Sequence, residues 1–223
     1  MPELRKLPMP GVLYLHGFCS SSKSAKGVFL SARFKECGIQ VVLPDLDEGD
    51  FEHTTITRQL ALVRRAARHL RPSMVIGSSL GGYLAALCAA RDPDTVPRLV
   101  LMAPAFDFAS RISLALGPRM TAWRREGSLP FHHYGLQSEA PLDYGFIEDA
   151  RRYEPFPAVS VPTRVLHGRR DESVDPALAA RFARENPDAD LQWFDTDHQM
   201  LDVLDQLWSS IQAFSALGLS GQG

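Results

Sequence analysis

Short apolar runs alternate along the chain with longer stretches in which apolar residues return every third or fourth position. The short runs are Val12-Leu-Tyr-Leu15, Gln40-Val-Val-Leu43, Ser73-Met-Val-Ile-Gly77, Arg98-Leu-Val-Leu-Met-Ala-Pro104, Thr163-Arg-Val-Leu-His167 and Leu191-Gln-Trp-Phe194. Their length and apolar continuity predict strands buried on both faces, as in a parallel sheet. Between them the spacing predicts helices over about 24–37, closed by Gly38, and over 54–70 and 80–91. In the second of these, Ile56, Leu60, Val63, Ala67 and Leu70 paint one face. Asp175-Pro176 opens another helix, with Asp at the N-cap and Pro at the first helical position. A closing helix carries Met200, Leu204, Leu207, Ile211 and Phe214, and 217–223 reads as a frayed tail. The alternation predicts an α/β domain with a six-stranded, mostly parallel sheet and helices on both faces.

Residues 105–157 break this rhythm. They show no clear strand and are rich in aromatics, Pro and Gly. A long insertion of this kind in a compact domain serves as a lid or binding element. The chain is therefore read as one domain, 1–223, with a lid-like insertion at 105–157. Phe106, Phe108, Trp123 and Tyr134 are expected to line an apolar substrate pocket.

Composition narrows the function classes. The 223 residues carry 24 Lys and Arg against 26 Asp and Glu, a formal net charge of −2. That balance argues against a nucleic-acid-binding face. Cys19, Cys37 and Cys88 have no ligand spacing and are odd in number, which fits reduced thiols in a cytoplasmic protein. No apolar run approaches the ~18 residues of a membrane span.

The strongest chemical signal is Gly77-Ser78-Ser79-Leu80-Gly81-Gly82, a G-x-S-x-G pattern centred on Ser79. Ser78 does not fit, because Ile76 and Leu80 would then hold the glycine places. The pattern has a mechanical cause: a nucleophilic serine on a tight strand-to-helix turn leaves no room for side chains two residues before and after. A strand before it and an Ala-rich helix after it supply the context. Such a serine needs a base and an orienting acid, which in this kind of fold follow in the order Ser, Asp or Glu, His. Asp171 lies just past one strand and His198 just past the last. These are the expected acid and base; Asp175 competes with Asp171 but is better explained as a helix cap. His16, His53, His69, His132, His133 and His167 are weaker bases, and His16 and His167, each before a glycine, read as turn residues. The backbone N–H groups of Leu80 and Phe18 are the expected oxyanion donors.

The run Tyr14-Leu-His-Gly-Phe-Cys-Ser-Ser-Ser-Lys-Ser-Ala-Lys-Gly27, together with Gly77-Ser-Ser-Leu-Gly-Gly-Tyr83, is similar to the small YqiA-like bacterial esterases of the α/β-hydrolase superfamily. The resemblance covers about Val12 to Phe214 and is weakest across 105–157. It implies an α/β-hydrolase fold; with about ten residues before the first strand, the two leading antiparallel strands of larger members are expected to be absent. It also implies nucleophile Ser79, acid Asp171, base His198 and oxyanion donors Phe18 and Leu80. The expectation is a cytoplasmic serine hydrolase acting on a small carboxylic ester, with no cofactor and no metal. A thioester or peptide substrate would use the same residues, and a non-catalytic binding protein is the rival from another class.

Two other motifs are decoys. Gly17 to Ser24 nearly matches the phosphate loop G-x-x-x-x-G-K-[ST], but Ser22 replaces the second glycine. Ser20-Ser-Ser-Lys23 matches S-x-x-K without its partner motifs. His132-His133 alone reads as surface or lid polarity, not a zinc pair.

Overall fold

A computed structural model describes residues 11–215. The expected tail at 217–223 lies outside the described residues. The strands of the main sheet are β1 (Val12–Leu15), β2 (Val41–Val42), β3 (Met74–Ser78) and β4 (Leu99–Met102), with two more described below. The first helices are α1 (Ala25–Glu36), α2 (Ile56–Leu70) and α3 (Leu80–Arg91). Then come α4 (Phe108–Leu116), α5 (Arg119–Glu126), β5 (Ser128–His133), β6 (Ser138–Asp143) and α6 (Gly145–Ala150). The chain closes with β7 (Thr163–Gly168), α7 (Pro176–Glu185), β8 (Ala189–Phe194) and α8 (Leu204–Phe214). The main sheet has the order β2-β1-β3-β4-β7-β8 and every pairing is parallel.

Strand side chains alternate between two apolar layers. Leu13, Leu15, Val75, Leu99, Leu101 and Val165 face α2, α3 and α7. Val12, Tyr14, Met74, Ile76, Val100 and Leu166 face α1 and α8. Both layers are closed to water, which is why the strands read as continuous apolar runs.

Helix ends follow local chemistry. The Thr55 side chain accepts the Arg58 N–H at 3.0 Å, so Thr55 is the cap and α2 begins two residues later than the expected 54. Gly38, at φ +74°, terminates α1, and Ile39 N–H returns to the Phe34 carbonyl. Asp175 accepts the Ala177 N–H at 2.9 Å ahead of Pro176. The closing helix differs from expectation. Met200 lies before it at φ +54°, followed by a 3₁₀ turn at Leu201–Val203. The Asp197 carboxylate, which accepts the Gln199 and Met200 N–H groups, makes this turn.

The expectation that 105–157 holds no strand is overturned. β5 and β6 form an antiparallel hairpin, hidden from the sequence because Pro130 pairs with Pro141 across it. Each strand has a free edge in this two-stranded sheet, where a residue lacking N–H is tolerated. Trp123 is fully buried beneath the hairpin and donates to the Leu142 carbonyl at 2.8 Å. Among the described residues no helix is long and apolar enough to cross a membrane.

Candidate active site

Ser79 stands between β3 and α3 at φ +54°, ψ −119°, a strained conformation for a residue with a side chain. Neighbouring strands hold it there. Its N–H donates to the Met102 carbonyl at 2.9 Å, and its own carbonyl accepts from Ala105, Gly82 and Tyr83. A methyl group at Gly77 would run into the backbone of Gly81 and Gly82, and one at Gly81 into the carbonyls of Leu15 and His16. Both glycines of the motif are thus required by backbone contact.

Two strand-end loops converge on this serine. The loop after β7 brings Asp171 and the loop after β8 brings His198. Gly168 lets them approach, since a side chain there would strike the Thr196 and Asp197 carbonyls. The His198 Nε2 lies 3.2 Å from Ser79 Oγ, and its Nδ1 lies 2.8 Å from Asp171 Oδ2. Asp171 Oδ1 accepts the Ser173 and Val174 N–H groups at 2.9 and 2.8 Å. Burial alone would push the Asp171 carboxyl up, but hydrogen bonds from His167 and His198 outweigh it and hold the group well below the usual carboxylate range. An ionised carboxylate only accepts, so His198 Nδ1 carries the proton and Nε2 presents a lone pair to the serine hydroxyl. Asp175, the competing acid, caps α7 and pairs with Arg111 at 3.5 Å, with no contact to the imidazole.

His167, expected at a turn, has a different place in the structure. Its side chain is fully buried and its Nε2 lies 3.1 Å from Asp171 Oδ2, the oxygen that also receives His198. The Val174 carbonyl is 3.2 Å from the same nitrogen. Both neighbours only accept, so Nε2–H donates to them. A histidine four residues before Asp171, at a strand end, was the available signal. Lys26 is a second residue the sequence did not single out. Its ammonium, nearly buried, donates to the Gln199 carbonyl at 2.9 Å and the His198 carbonyl at 3.4 Å. Burial lowers its pKa to about 8, against the pull of Asp171 and Asp197. It ties α1 to the loop that carries the imidazole.

The β1–α1 loop passes beside the serine: a Cβ on Gly17 would sit 3.3 Å from Ser79 Cβ. Among the described residues neither Phe18 N–H nor Leu80 N–H donates to a protein acceptor. The Phe18 ring packs among Phe51, Phe108, Phe131 and Phe146, at centroid separations of 6.0, 5.6, 5.4 and 5.5 Å. His16 is a structural tie. Its Nε2 accepts the Leu46 N–H at 3.1 Å, so Nδ1 carries the proton toward the Gly17 carbonyl, and burial depresses its pKa. His133 is buried too, its Nε2 3.3 Å from Asp47, while His132 lies exposed beside Glu139.

Above Ser79 and His198 opens a cleft of about 1030 Å³. Phe108, Ile112, Phe131, Val174 and Leu178 give it an apolar wall; Ser20, Ser21, Lys23, Ser24 and Lys26 give it a polar one. The expected pocket residues divide. Phe108 and Tyr134 line the cleft, with Tyr134 exposed at the mouth. Phe106 borders it, yet is fully buried and stacked on Phe182 at 4.2 Å. Trp123 does not reach the cleft, a correction: it is the core of the hairpin layer, packed on Phe131 and Tyr144.

The model of an uncharacterised protein family, UPF0227, matches residues 11–216. The chain is 26% identical over 215 residues to the mitochondrial palmitoyl-protein thioesterase ABHD10 of Rattus norvegicus, covering 88% of this chain and 71% of that protein. Among solved structures, α/β hydrolase domain-containing protein 10 from mouse matches with a TM-score of 0.77 at 23% identity, over 92% of this chain and 88% of that one. Est1E from Butyrivibrio proteoclasticus matches with a TM-score of 0.70 at 18% identity, over 96% and 90%. The fold is that of the α/β hydrolases.

Proposed function

The chain belongs to the uncharacterised protein family UPF0227, and we propose that it is a serine hydrolase that cleaves carboxylic esters through an acyl-serine intermediate. One observation carries the reading: the unbroken path from Ser79 Oγ through His198 to Asp171, at 3.2 and 2.8 Å. His198 Nε2 takes the hydroxyl proton as Ser79 Oγ attacks the ester carbonyl carbon. The Phe18 and Leu80 N–H groups receive the developing oxyanion. The imidazolium then passes its proton to the departing alcohol oxygen, leaving the acyl group on Ser79. Water, deprotonated by the same nitrogen, releases the acid and restores the serine. In this reading 105–157 is the lid of a single domain, and Phe108, Phe131 and Ile112 receive the acyl chain.

A thioester substrate is the second reading. The relative named as a palmitoyl-protein thioesterase favours it, and the apolar wall of the cleft suits a long acyl chain. The same residues would act on either bond. A fluorophosphonate reagent tests the shared chemistry. Stoichiometric labelling that disappears in Ser79→Ala supports the hydrolase. Folded protein that takes no label supports a binding module instead. A matched series of oxygen and thiol esters from C2 to C16 then separates the two substrates.

A further inference from the structure

We propose that Asp47 and His133, a buried pair that joins the hairpin to the loop after β2, are positioning residues: they hold the β1–α1 loop so that the Phe18 N–H faces the oxyanion that forms when Ser79 attacks. The assignment rests on the hydrolase reading of the cleft. It gives a role to a polar cluster that the path from Ser79 to Asp171 does not use.

The pair is closed to water and its bonds are directed. Asp47 is 7% exposed and His133 4%. His133 Nδ1 accepts the Leu136 N–H at 3.1 Å, so Nε2 carries the proton and donates to Asp47 Oδ2 at 3.3 Å. Asp47 Oδ1 accepts the Gln59 side-chain amide of α2 at 3.0 Å. The Phe51 ring stands edge-on to the imidazole, with centroids 4.7 Å apart. Polar groups buried this deeply fix geometry, because each of them loses a full hydrogen bond if it moves.

From this pair two ties run to one short stretch of backbone. The first starts at His133. The next residue, Tyr134, donates its N–H to the Cys19 carbonyl at 2.7 Å. Gly135 then passes so close to Ser21 that a Cβ on it would lie 2.8 Å from Ser21 Cβ. The second tie starts at Asp47. The residue before it, Leu46, donates its N–H to His16 Nε2 at 3.1 Å, and His16 Nδ1–H donates to the Gly17 carbonyl at 2.9 Å. The stretch that carries Leu46 is stiff, since the Asp45 carboxylate accepts the Asp47 and Gly49 N–H groups at 3.3 and 3.1 Å. Phe18 lies between the two tied carbonyls.

The direction of the Phe18 N–H follows from peptide planarity. The Gly17 carbonyl and the Phe18 N–H belong to one trans peptide unit and point opposite ways. The buried His16 imidazole holds the carbonyl inward, so the N–H is turned to the cleft that Gly17 and Phe18 line. Cys19, one residue on, sits at φ +53°, a conformation that a residue with a side chain keeps only under restraint. The Tyr134 bond to its carbonyl supplies that restraint. If the Gly17–Phe18 peptide turned over, a carbonyl oxygen would meet the oxyanion in place of a donor. The two adjacent histidines therefore differ in kind: His132 is exposed beside Glu139, and His133 holds the loop.

The test compares two polar replacements of His133 with p-nitrophenyl butyrate. Asn keeps an acceptor for Leu136 but does not reach Asp47; Gln places a donor where Nε2 stood. His133→Asn should lower kcat by about thirtyfold with KM within about threefold, short of the 10²–10³ for a donor removed outright. His133→Gln should stay within about threefold of wild type. Asp47→Ala should lose about as much as His133→Asn, and the double variant little more, because both break one bond. A hexyl trifluoromethyl ketone gives a second readout. Ser79 Oγ adds to its carbonyl carbon, the hydroxyl proton passes to His198 Nε2, and the carbonyl oxygen is left as the oxyanion. Its inhibition constant should rise in His133→Asn by the factor lost from kcat, while that of the matching secondary alcohol stays within about twofold. Two controls loosen the cover elsewhere: His132→Ala, and Asp149→Ala, which frees Thr57. Both should keep kcat within about twofold, although the second lowers Tm. A His133→Asn protein with lowered Tm but unchanged kcat and ketone inhibition would overturn the inference. So would a His133→Gln loss as large as that of His133→Asn, or an equal loss in Asp149→Ala. Failure of the hydrolase reading looks different: wild type itself turns over no ester and Ser79 takes no fluorophosphonate.

Discussion

Ser79, Asp171 and His198 stand on strand ends, and two of those strands, β3 and β7, are hydrogen-bonded on both sides. The segment 105–157 is held differently. Its apolar side chains, among them Phe106, Phe108, Trp123, Leu142 and Phe146, join the buried layer formed by the sheet, α2 and α3, but its hairpin pairs with no strand of the main sheet, and a few hydrogen bonds tie it to the elements around it. Tyr134 N–H reaches the Cys19 carbonyl at 2.7 Å, Asp143 N–H the Glu52 carbonyl at 2.9 Å, and Asp149 takes both Thr57 donors at 2.7 and 2.6 Å. The two regions meet at Phe18. Its amide belongs to the sheet-borne loop, while three of the four rings around it, Phe108, Phe131 and Phe146, come from the cover. The frame fixes Ser79, Asp171 and His198, and the cover fixes one of the proposed oxyanion donors and the shape of the cleft. Damage to the two should therefore read out differently.

The largest effect is expected at the frame. His198→Ala should cut kcat for p-nitrophenyl butyrate by about 10⁴–10⁶ while Tm stays nearly constant, because the side chain borders the cleft. Asp171→Asn should cost about 10⁴ in kcat through the wrong imidazole tautomer, whereas Asp175→Asn should stay within about twofold. Parity between those two variants would move the acid elsewhere. At the cover, Trp123→Ala should cost about 3–5 kcal/mol of stability, the usual range for an emptied tryptophan site. Its kinetic effect should be far smaller than that of His198→Ala and fall mainly on KM. A kcat collapse in Trp123→Ala with the fold intact would erase the distinction.

The same contrast governs what could be read from the sequence. The frame was legible because each strand is a short apolar run, α2 carries one apolar face and α3 is a continuous run of small and apolar residues. The sharp turn at Ser79 was legible because backbone crowding at Gly77 and Gly81 dictates the residues. The cover was not. Its helices run six to nine residues, too short for periodicity to speak, and its hairpin carries a proline in each strand. Trp123 shows the limit plainly, since an aromatic residue in an insertion has the same pattern whether it lines a cleft or fills a small core. Phe108, one element earlier, does line the cleft. His167 escaped for another reason: its partner, Asp171, becomes visible only when the β7 loop folds back by one turn.

Smaller effects sharpen the account. His167→Phe removes one donor from Asp171 Oδ2, so kcat should fall about tenfold and the acidic limb of the pH–rate profile should move. A variant with lowered Tm and an unchanged profile would reduce His167 to packing. The Asp171 carboxyl is depressed when folded, so the ionised form stabilises the fold. That contribution is complete above the ordinary carboxylate range, near about pH 4, and is lost as pH falls below it. The Tm advantage of wild type over Asp171→Asn, measured by calorimetry, should therefore shrink from about pH 6 to about pH 3. A gap that does not change with pH would mean that the carboxylate is not held ionised by its neighbours.

The most direct measurement is a rapid-mix reaction with p-nitrophenyl butyrate, quenched in acid and followed by peptide mass spectrometry. The account predicts a burst of about one p-nitrophenol per chain, with the butanoyl mass on the peptide that contains Ser79. It also predicts neither burst nor adduct in His198→Ala. Steady turnover with the acyl mass on another residue, or a burst that survives without the imidazole, would contradict it.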